Sequence, residues 1–226
     1  MGRGGAGQVY RVRDRLRSSE VALKLLRLEG VEALEAFRAE FRTLARVFHP
    51  ALVQVYDFGR VRVSGGLVAF YTAALVDGVG LSEFARNHSW PEVRRALGDG
   101  LRALALLHRT GFVHGDFKPA NLLVDRKGRG TLIDLGCSAA ALPGTVSGTR
   151  GYIAPELLSG QRGDRRADLY AVGATLRELR ELTARVPRAV EALTKRLLST
   201  SPSNRPSDVS EVLAALNGET LRWRDA

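Results

Sequence analysis

The sequence predicts an α+β chain in two parts, and three observations carry that reading. Residues 1–76 hold short alternating runs rich in β-branched and small side chains, interrupted by one stretch of helical spacing. Asp77-Gly78 marks a break. Beyond it, helical periodicity dominates to the end. The expected architecture is one domain over 1–226: a small antiparallel-sheet lobe with one helix (1–76), a hinge (77–80) and a mainly helical lobe (81–226).

The elements follow in order. Glycines at 2, 4, 5 and 7 predict a turn between two strands, and VALKLL (21–26) a buried strand. Leu34, Phe37, Phe41, Leu44 and Val47 recur at helical spacing over 31–47, and His49-Pro50 ends that helix. LVQVYDFG (52–59) and GLVAFYTAALV (66–76) read as two further strands. Residues 81–110 read as helical, with LRALALLHR packing one apolar stripe. NLLV (121–124) and TLID (131–134) are strand-like pieces around the turn DRKGRG. From Asp168 onward the pattern is helical, broken at Pro187, Pro202 and Pro206.

Composition narrows the class. The 226 residues are 45% hydrophobic and 26% charged, as in ordinary globular proteins. The longest apolar run, Leu67 to Val76, is half of what a bilayer-spanning helix needs, so no membrane segment is expected. The N-terminus lacks a charged-then-apolar leader pattern. A single cysteine, Cys137, rules out an internal disulfide and fits a reducing compartment, which points to the cytoplasm. The net charge of +10 raises the question of nucleic acid, but the 34 basic residues are scattered, so no nucleic-acid partner is expected. Only four of them are lysines: Lys24, Lys118, Lys127 and Lys195.

Two of those lysines fall among residues suited to phosphate chemistry. Gly2-Arg3-Gly4-Gly5-Ala6-Gly7-Gln8-Val9 is a glycine-rich turn whose backbone can lie close over phosphates. A strand follows it, where a dinucleotide-binding turn would open a helix. Lys24 stands in an otherwise apolar strand and needs an anionic partner; Glu40 on the next helix is the natural one, with Glu35 as the fallback. In His114-Gly115-Asp116-Phe117-Lys118-Pro119-Ala120-Asn121, Asp116 can face an attacking hydroxyl, Asn121 can offer an oxygen to a metal, and Lys118 can neutralise a γ-phosphate. Asp134-Leu135-Gly136 leaves a short strand with a second carboxylate. Singly, each residue reads as turn or packing chemistry; their order in one chain does not.

Together these segments resemble the eukaryotic-like Ser/Thr protein kinases of bacteria, over nearly the whole length. The likeness runs through the glycine loop, VALK (21–24), Glu40, His49-Pro50, HGDFKPAN and DLG. It continues through GTRGYIAPE (148–156) and Asp168 in DLYAVGATL to Arg205 in SPSNRPS. The resemblance implies a two-lobed kinase-like fold using ATP and Mg2+, with Mn2+ as an alternative ion, on Ser/Thr hydroxyls of a protein substrate. It implies that Gly2, Gly4 and Gly7 cover the phosphates, and that Lys24 holds them while paired with Glu40. Asp116 is then the catalytic base, and Asn121 and Asp134 the metal ligands. Lys118 and Thr149 match the Ser/Thr pattern. Glu156 and Arg205 match a bracing ion pair, and Asp168 a support for the catalytic loop. Adenine would lie between Val9, Ala22 and Leu123, its edge facing the Ala74 carbonyl and the Val76 amide.

The pattern is broken in places. Gly115 replaces an arginine that in many kinases pairs with a phosphorylated activation segment, so phosphorylation at Ser138, Thr145 or Ser147 is expected not to be required. The chain starts at the glycine loop, so the first strand is expected to be truncated and its loop mobile. Leu182 to Ser199 passes almost directly from helix to helix, where the family has a further substrate-side helix. Two alternatives are a catalytically inactive kinase-like binding module and a small-molecule phosphotransferase of the aminoglycoside or choline kinase kind. GTRGYIAPE disfavours the latter, which generally lacks that segment.

Overall fold

In the computed structural model, which describes residues 3–4, 7–27, 31–63, 66–134, 148–161 and 163–218, the first third of the chain is an antiparallel sheet packed on one helix. The strands are β1 (Arg3–Gly4), β2 (Gly7–Asp14), β3 (Ser19–Arg27), β4 (Val55–Val63) and β5 (Gly66–Ala74), in the spatial order β1-β2-β3-β5-β4. Pairing Val9 with Lys24, and Lys24 with Tyr71, puts these three side chains on one face of the sheet. Helix α1 (Val31–Arg46) covers that face through Phe37 and Phe41, which meet Phe58 and Tyr71 at ring-centroid distances of 5.1 to 6.1 Å.

The predicted strand at 52–59 is displaced. Pairing with β5 begins at Val55, breaks at a bulge before Phe58 and runs on to Val63. Residues 51–53 join the other part of the molecule instead: Leu132 N–H donates to the Ala51 carbonyl (2.8 Å) and Val53 N–H to the Leu132 carbonyl (2.9 Å).

The helical stretch expected over 81–110 forms two helices, α2 (Leu81–Arg86) and α3 (Trp90–Arg109). A capping box explains the restart. The Glu92 carboxylate accepts from the Ser89 N–H (2.8 Å), Ser89 caps the first turn, and Pro91 fits there because its missing N–H has no role. Val93, Ala96, Leu97, Leu101, Leu104 and Leu107 of α3 are all fully buried.

The strand-like pieces expected at 121–124 and 131–134 form β7 (Leu122–Asp125) and β8 (Gly130–Leu132), and with β6 (Gly78–Gly80), which the sequence did not suggest, they make a second sheet against α3. The hinge at 77–80 therefore enters a strand at once. The remaining helices are α4 (Pro155–Leu158), α5 (Arg165–Leu182), α6 (Arg188–Leu197) and α7 (Val209–Leu216). Helix α5 begins three residues before Asp168 because Asp164 caps it, accepting from the Arg166 N–H at 2.7 Å. Only residues 183–187 separate α5 from α6, as the sequence led us to expect. No helix among the described residues is long and apolar enough to cross a membrane.

Strand β8 approaches α3 so closely that a Cβ added at Gly130 would stand 2.3 Å from the Ala96 carbonyl oxygen. Gly130→Ala is therefore expected to destabilise the protein by about 1–3 kcal/mol through overpacking, read by denaturant unfolding; an unchanged midpoint would refute this contact.

Candidate functional site

Lys24 is buried in β3, and its ammonium meets two carboxylates: Glu40 Oε1 at 2.8 Å and Asp134 Oδ1 at 3.0 Å. Glu40 comes from the inner side of α1, and the Tyr71 hydroxyl also donates to its Oε1 at 2.8 Å. Burial alone would lower the Lys24 pKa, but the charges of Glu40 and Asp134 outweigh it and hold the value above normal. Burial also raises Glu40, against the pull of Lys24. Those two shifts compete for one proton, and the geometry favours the ammonium, which faces two carboxylates. Glu35, the fallback partner, is exposed and bonds Arg38 instead.

Asp116 stands in a closed ring of donors. Its Oδ1 accepts from the Thr149 N–H (3.0 Å) and hydroxyl (2.9 Å). Its Oδ2 accepts from Lys118 Nζ (2.5 Å) and Asn121 Nδ2 (3.1 Å). Lys118 Nζ also reaches the Thr149 hydroxyl at 2.5 Å. The carboxamide of Asn121 turns its nitrogen to Asp116, donating also to the Asp116 carbonyl (2.9 Å), so its oxygen stays without a donor among the described residues. Ile133 N–H donates to the Asn121 carbonyl at 2.8 Å, which brings Asp134 beside Asn121. Asp134 has φ +52°, a left-handed conformation costing a non-glycine residue roughly 1–2 kcal/mol.

The loop before Asp116 is suspended from α5. Asp168, almost fully buried, accepts from the His114 N–H through Oδ2 and from the Gly115 N–H through Oδ1, both at 2.8 Å. Gly115 sits at φ +80°, where the absence of a Cβ removes the strain. His108 Nε2 lies 2.8 Å from the same Asp168 Oδ2. Complete burial pushes the His114 imidazole below its usual value, against the pull of Asp168, Asp116 and Asp134.

The segment carrying Thr149 is fixed at its far end. Glu156 takes a bidentate bond from Arg205, Nη1 to Oε1 at 2.6 Å and Nη2 to Oε2 at 2.7 Å. Arg205 Nη1 donates to the Arg166 carbonyl (2.9 Å) and Nε to the Ser199 carbonyl (3.0 Å). Glu178 of α5 collects hydroxyls from Tyr152 and from Ser82 of α2.

The structure thus joins Lys24, Glu40 and Asp134 in one group, and Asp116, Lys118, Asn121 and Thr149 in another. Asp168 supports the second group, and Glu156 with Arg205 holds the end of its segment. Val9 and Ala22 share the face of Lys24, and Leu123 lies on β7 opposite Gly80. Ala74 N–H is bonded to the Gln54 carbonyl (2.8 Å), whereas the Val76 N–H has no backbone acceptor among the described residues. Gly4 and Gly7 lie in β1 and β2; Gly2, Leu135, Gly136, Cys137, Ser138, Thr145 and Ser147 fall outside the described residues. Sequence reasoning missed His108, Tyr71 and Glu178. The one signal for His108 was a polar residue on the buried side of α3, four places after Leu104.

Comparison with known proteins agrees with this geometry. The family described as "Protein kinase domain" matches residues 1–192. A probable serine/threonine-protein kinase of Streptomyces coelicolor is 35% identical over 201 residues, covering 83% of this chain and 30% of that protein. Serine/threonine-protein kinase PknA of Mycobacterium tuberculosis is 37% identical over 184 residues, covering 75% and 42%. PknB of Mycolicibacterium smegmatis is 32% identical over 237 residues, covering 96% and 37%. The chain spans less than half the length of these relatives.

Removing one partner of the buried Glu156–Arg205 pair leaves an uncompensated charge. Arg205→Ala is expected to cost about 3–5 kcal/mol of stability in denaturant unfolding; a cost below about 1 kcal/mol would show that water screens the pair.

Proposed function

Because this chain belongs to the protein kinase domain family, we propose that it transfers the γ-phosphoryl group of ATP to Ser or Thr hydroxyls of protein substrates. The observation that carries this reading is the ring of Asp116, Lys118 and Thr149. It sets a carboxylate where an incoming hydroxyl must arrive, beside an ammonium able to meet the transferred phosphoryl group. Thr149 belongs to a segment held at Glu156, and such a segment is what a protein substrate would lie against. This favours a protein over a small-molecule acceptor.

The residues present fit ATP and a hard divalent cation. Among the described residues no three His, Cys, Asp or Glu converge on a metal site. Mg2+ needs fewer, because it commonly takes one or two protein oxygens with waters and substrate phosphates. The unbonded Asn121 oxygen and the part-exposed Asp134 carboxylate offer such a pair. The cation, Mg2+ by preference or Mn2+, would supply charge neutralisation across the phosphates.

The chain's own residues do the rest. Lys24, kept charged by Glu40, holds the α- and β-phosphates. Gly2, Gly4 and Gly7 bring backbone over them. Adenine stacks between Val9, Ala22 and Leu123, with the Ala74 carbonyl and the unpaired Val76 amide at its edge. Asp116 orients the hydroxyl and takes its proton, while Lys118 and Thr149 fix the rotamer of its carboxylate. Asp168, through the His114 and Gly115 amides, keeps that carboxylate in place. We assign this chemistry to one domain over 1–226, with lobes at 1–76 and 81–226 and the hinge at 77–80.

The test is phosphotransfer from labelled ATP to a Ser/Thr-containing protein. Asp116→Asn is expected to lower turnover about 100- to 10,000-fold, and near-normal turnover in that variant would overturn the assignment. Asp134→Asn is expected to raise the Mg2+ concentration needed for half-maximal activity, whereas Asp116→Asn leaves that requirement unchanged. Identical metal titrations for the two variants would remove Asp134 from the metal site.

A further inference from the structure

Helix α3 carries Arg95, Arg102 and Arg109 seven residues apart, all exposed, so they form one stripe about 21 Å long. The β7–β8 turn extends it with the exposed Arg126 and Lys127. The two parts are in contact, since Arg95 Nη2 donates to the Lys127 carbonyl at 2.7 Å. The segment after α1 also approaches α3: Leu132 N–H, at the end of the β8 strand that lies against α3, donates to the Ala51 carbonyl at 2.8 Å. His49 in that segment is held below its usual value by burial and by the charges of Arg102 and Arg109, against Asp99. Its neighbour Phe48 is 74% exposed.

The carboxylates nearby are engaged in the fold. Asp99 accepts the Gly130 N–H (2.9 Å) and bonds Arg102 (2.5 Å). Asp125 accepts the Lys127 and Arg129 N–H groups, both at 2.9 Å, and bonds Arg129. Arg95, Arg109, Arg126 and Lys127 have no carboxylate partner among the described residues. Among the other arginines, Arg11 pairs with Glu20, Arg17 with Asp14 and Asp57, and Arg196 with Glu211.

We propose that this face of α3 and the β7–β8 turn docks an acidic polypeptide segment of a partner protein, with Phe48 receiving an apolar side chain at one end. About six extended residues span the stripe at roughly 3.3 Å each. Alternate carboxylates of such a segment would meet Arg95 and Arg109, which have no carboxylate partner among the described residues, with Arg102 shared with Asp99, and the apolar contact sets its direction. None of these residues belongs to the Asp116 ring, so binding there is measurable without phosphotransfer.

The probe is a fluorescein-labelled peptide of eight glutamates followed by leucine and tryptophan, titrated with the protein by fluorescence anisotropy at low and physiological salt. Three variants are compared: Arg95→Glu/Arg102→Glu/Arg109→Glu; Arg109→Ala/Arg126→Ala/Lys127→Ala, which breaks no described side-chain bond; and a control on the small lobe, Arg13→Glu/Arg60→Glu/Arg62→Glu. Both stripe variants are expected to weaken binding by roughly tenfold or more, and the control by less than about twofold. Phe48→Ala is expected to weaken it further. Equal weakening by the control, or no measurable binding, overturns the proposal. So does tighter binding of phosphatidylserine vesicles or of a single-stranded oligonucleotide, lost in the same stripe variants.

Discussion

Burying a carboxylate costs several kcal/mol unless its lone pairs are filled, and Asp168 is filled by groups of the loop that leads to Asp116. Two backbone amides and one imidazole converge on it. Because α5 is the most enclosed helix of the large lobe, the loop inherits its rigidity. His114 is then locked by its own burial, Gly115 by its amide, and Asp116 follows at a set distance. The ring around Asp116 depends on that anchor, since Thr149 and Asn121 reach its oxygens only where the loop backbone places them. Water reaching Asp168 would loosen all of these at once.

The second group is held differently. Lys24, Glu40 and Asp134 come from a strand, a helix and the end of another strand, and no shared backbone joins them. What holds them is charge in a low-dielectric setting, where one ammonium between two carboxylates is worth far more than on the surface. The aromatic layer under α1 keeps water from that setting. Packing and electrostatics therefore support one another here: Tyr71 both stacks on Phe37 and bonds Glu40.

Much of this was legible in the sequence, for physical reasons that differ from residue to residue. A lysine inside VALKLL demands a counter-charge, and helical spacing singled out Glu40 over Glu35 because only Glu40 lies on the face of Phe37, Phe41 and Leu44. The ordered motifs singled out Asp116, Lys118, Asn121 and Thr149, which the structure brings into one group, as well as Asp168 beneath them and the pair Glu156 and Arg205. The three-residue strand β6 was not legible, since so short a run, two of its residues glycine, has no period to read. The break at Ser89 was missed because the apolar stripe resumes in nearly the same phase; the capping pair Ser89 and Glu92 was the available signal. His108 was hidden for the opposite reason. One histidine in an apolar stripe looks like any packed ring until its partner is seen.

The main-chain bonds from Ala51 and Val53 to Leu132 have a mechanical consequence. They tie the junction between α1 and β4 to the strand that ends at Asp134, although that junction is sequentially part of the small lobe. The chain itself passes between the lobes at Val76 and Asp77, on a separate path. Two such tethers define a line, and rigid bodies joined along a line retain one easy motion, rotation about it. Swinging the sheet about that axis displaces β1 and β2, at the far side of the sheet, most, while the separation of residues 51–53 from Leu132 hardly alters. The cleft behaves as a jaw with its pivot built from peptide groups.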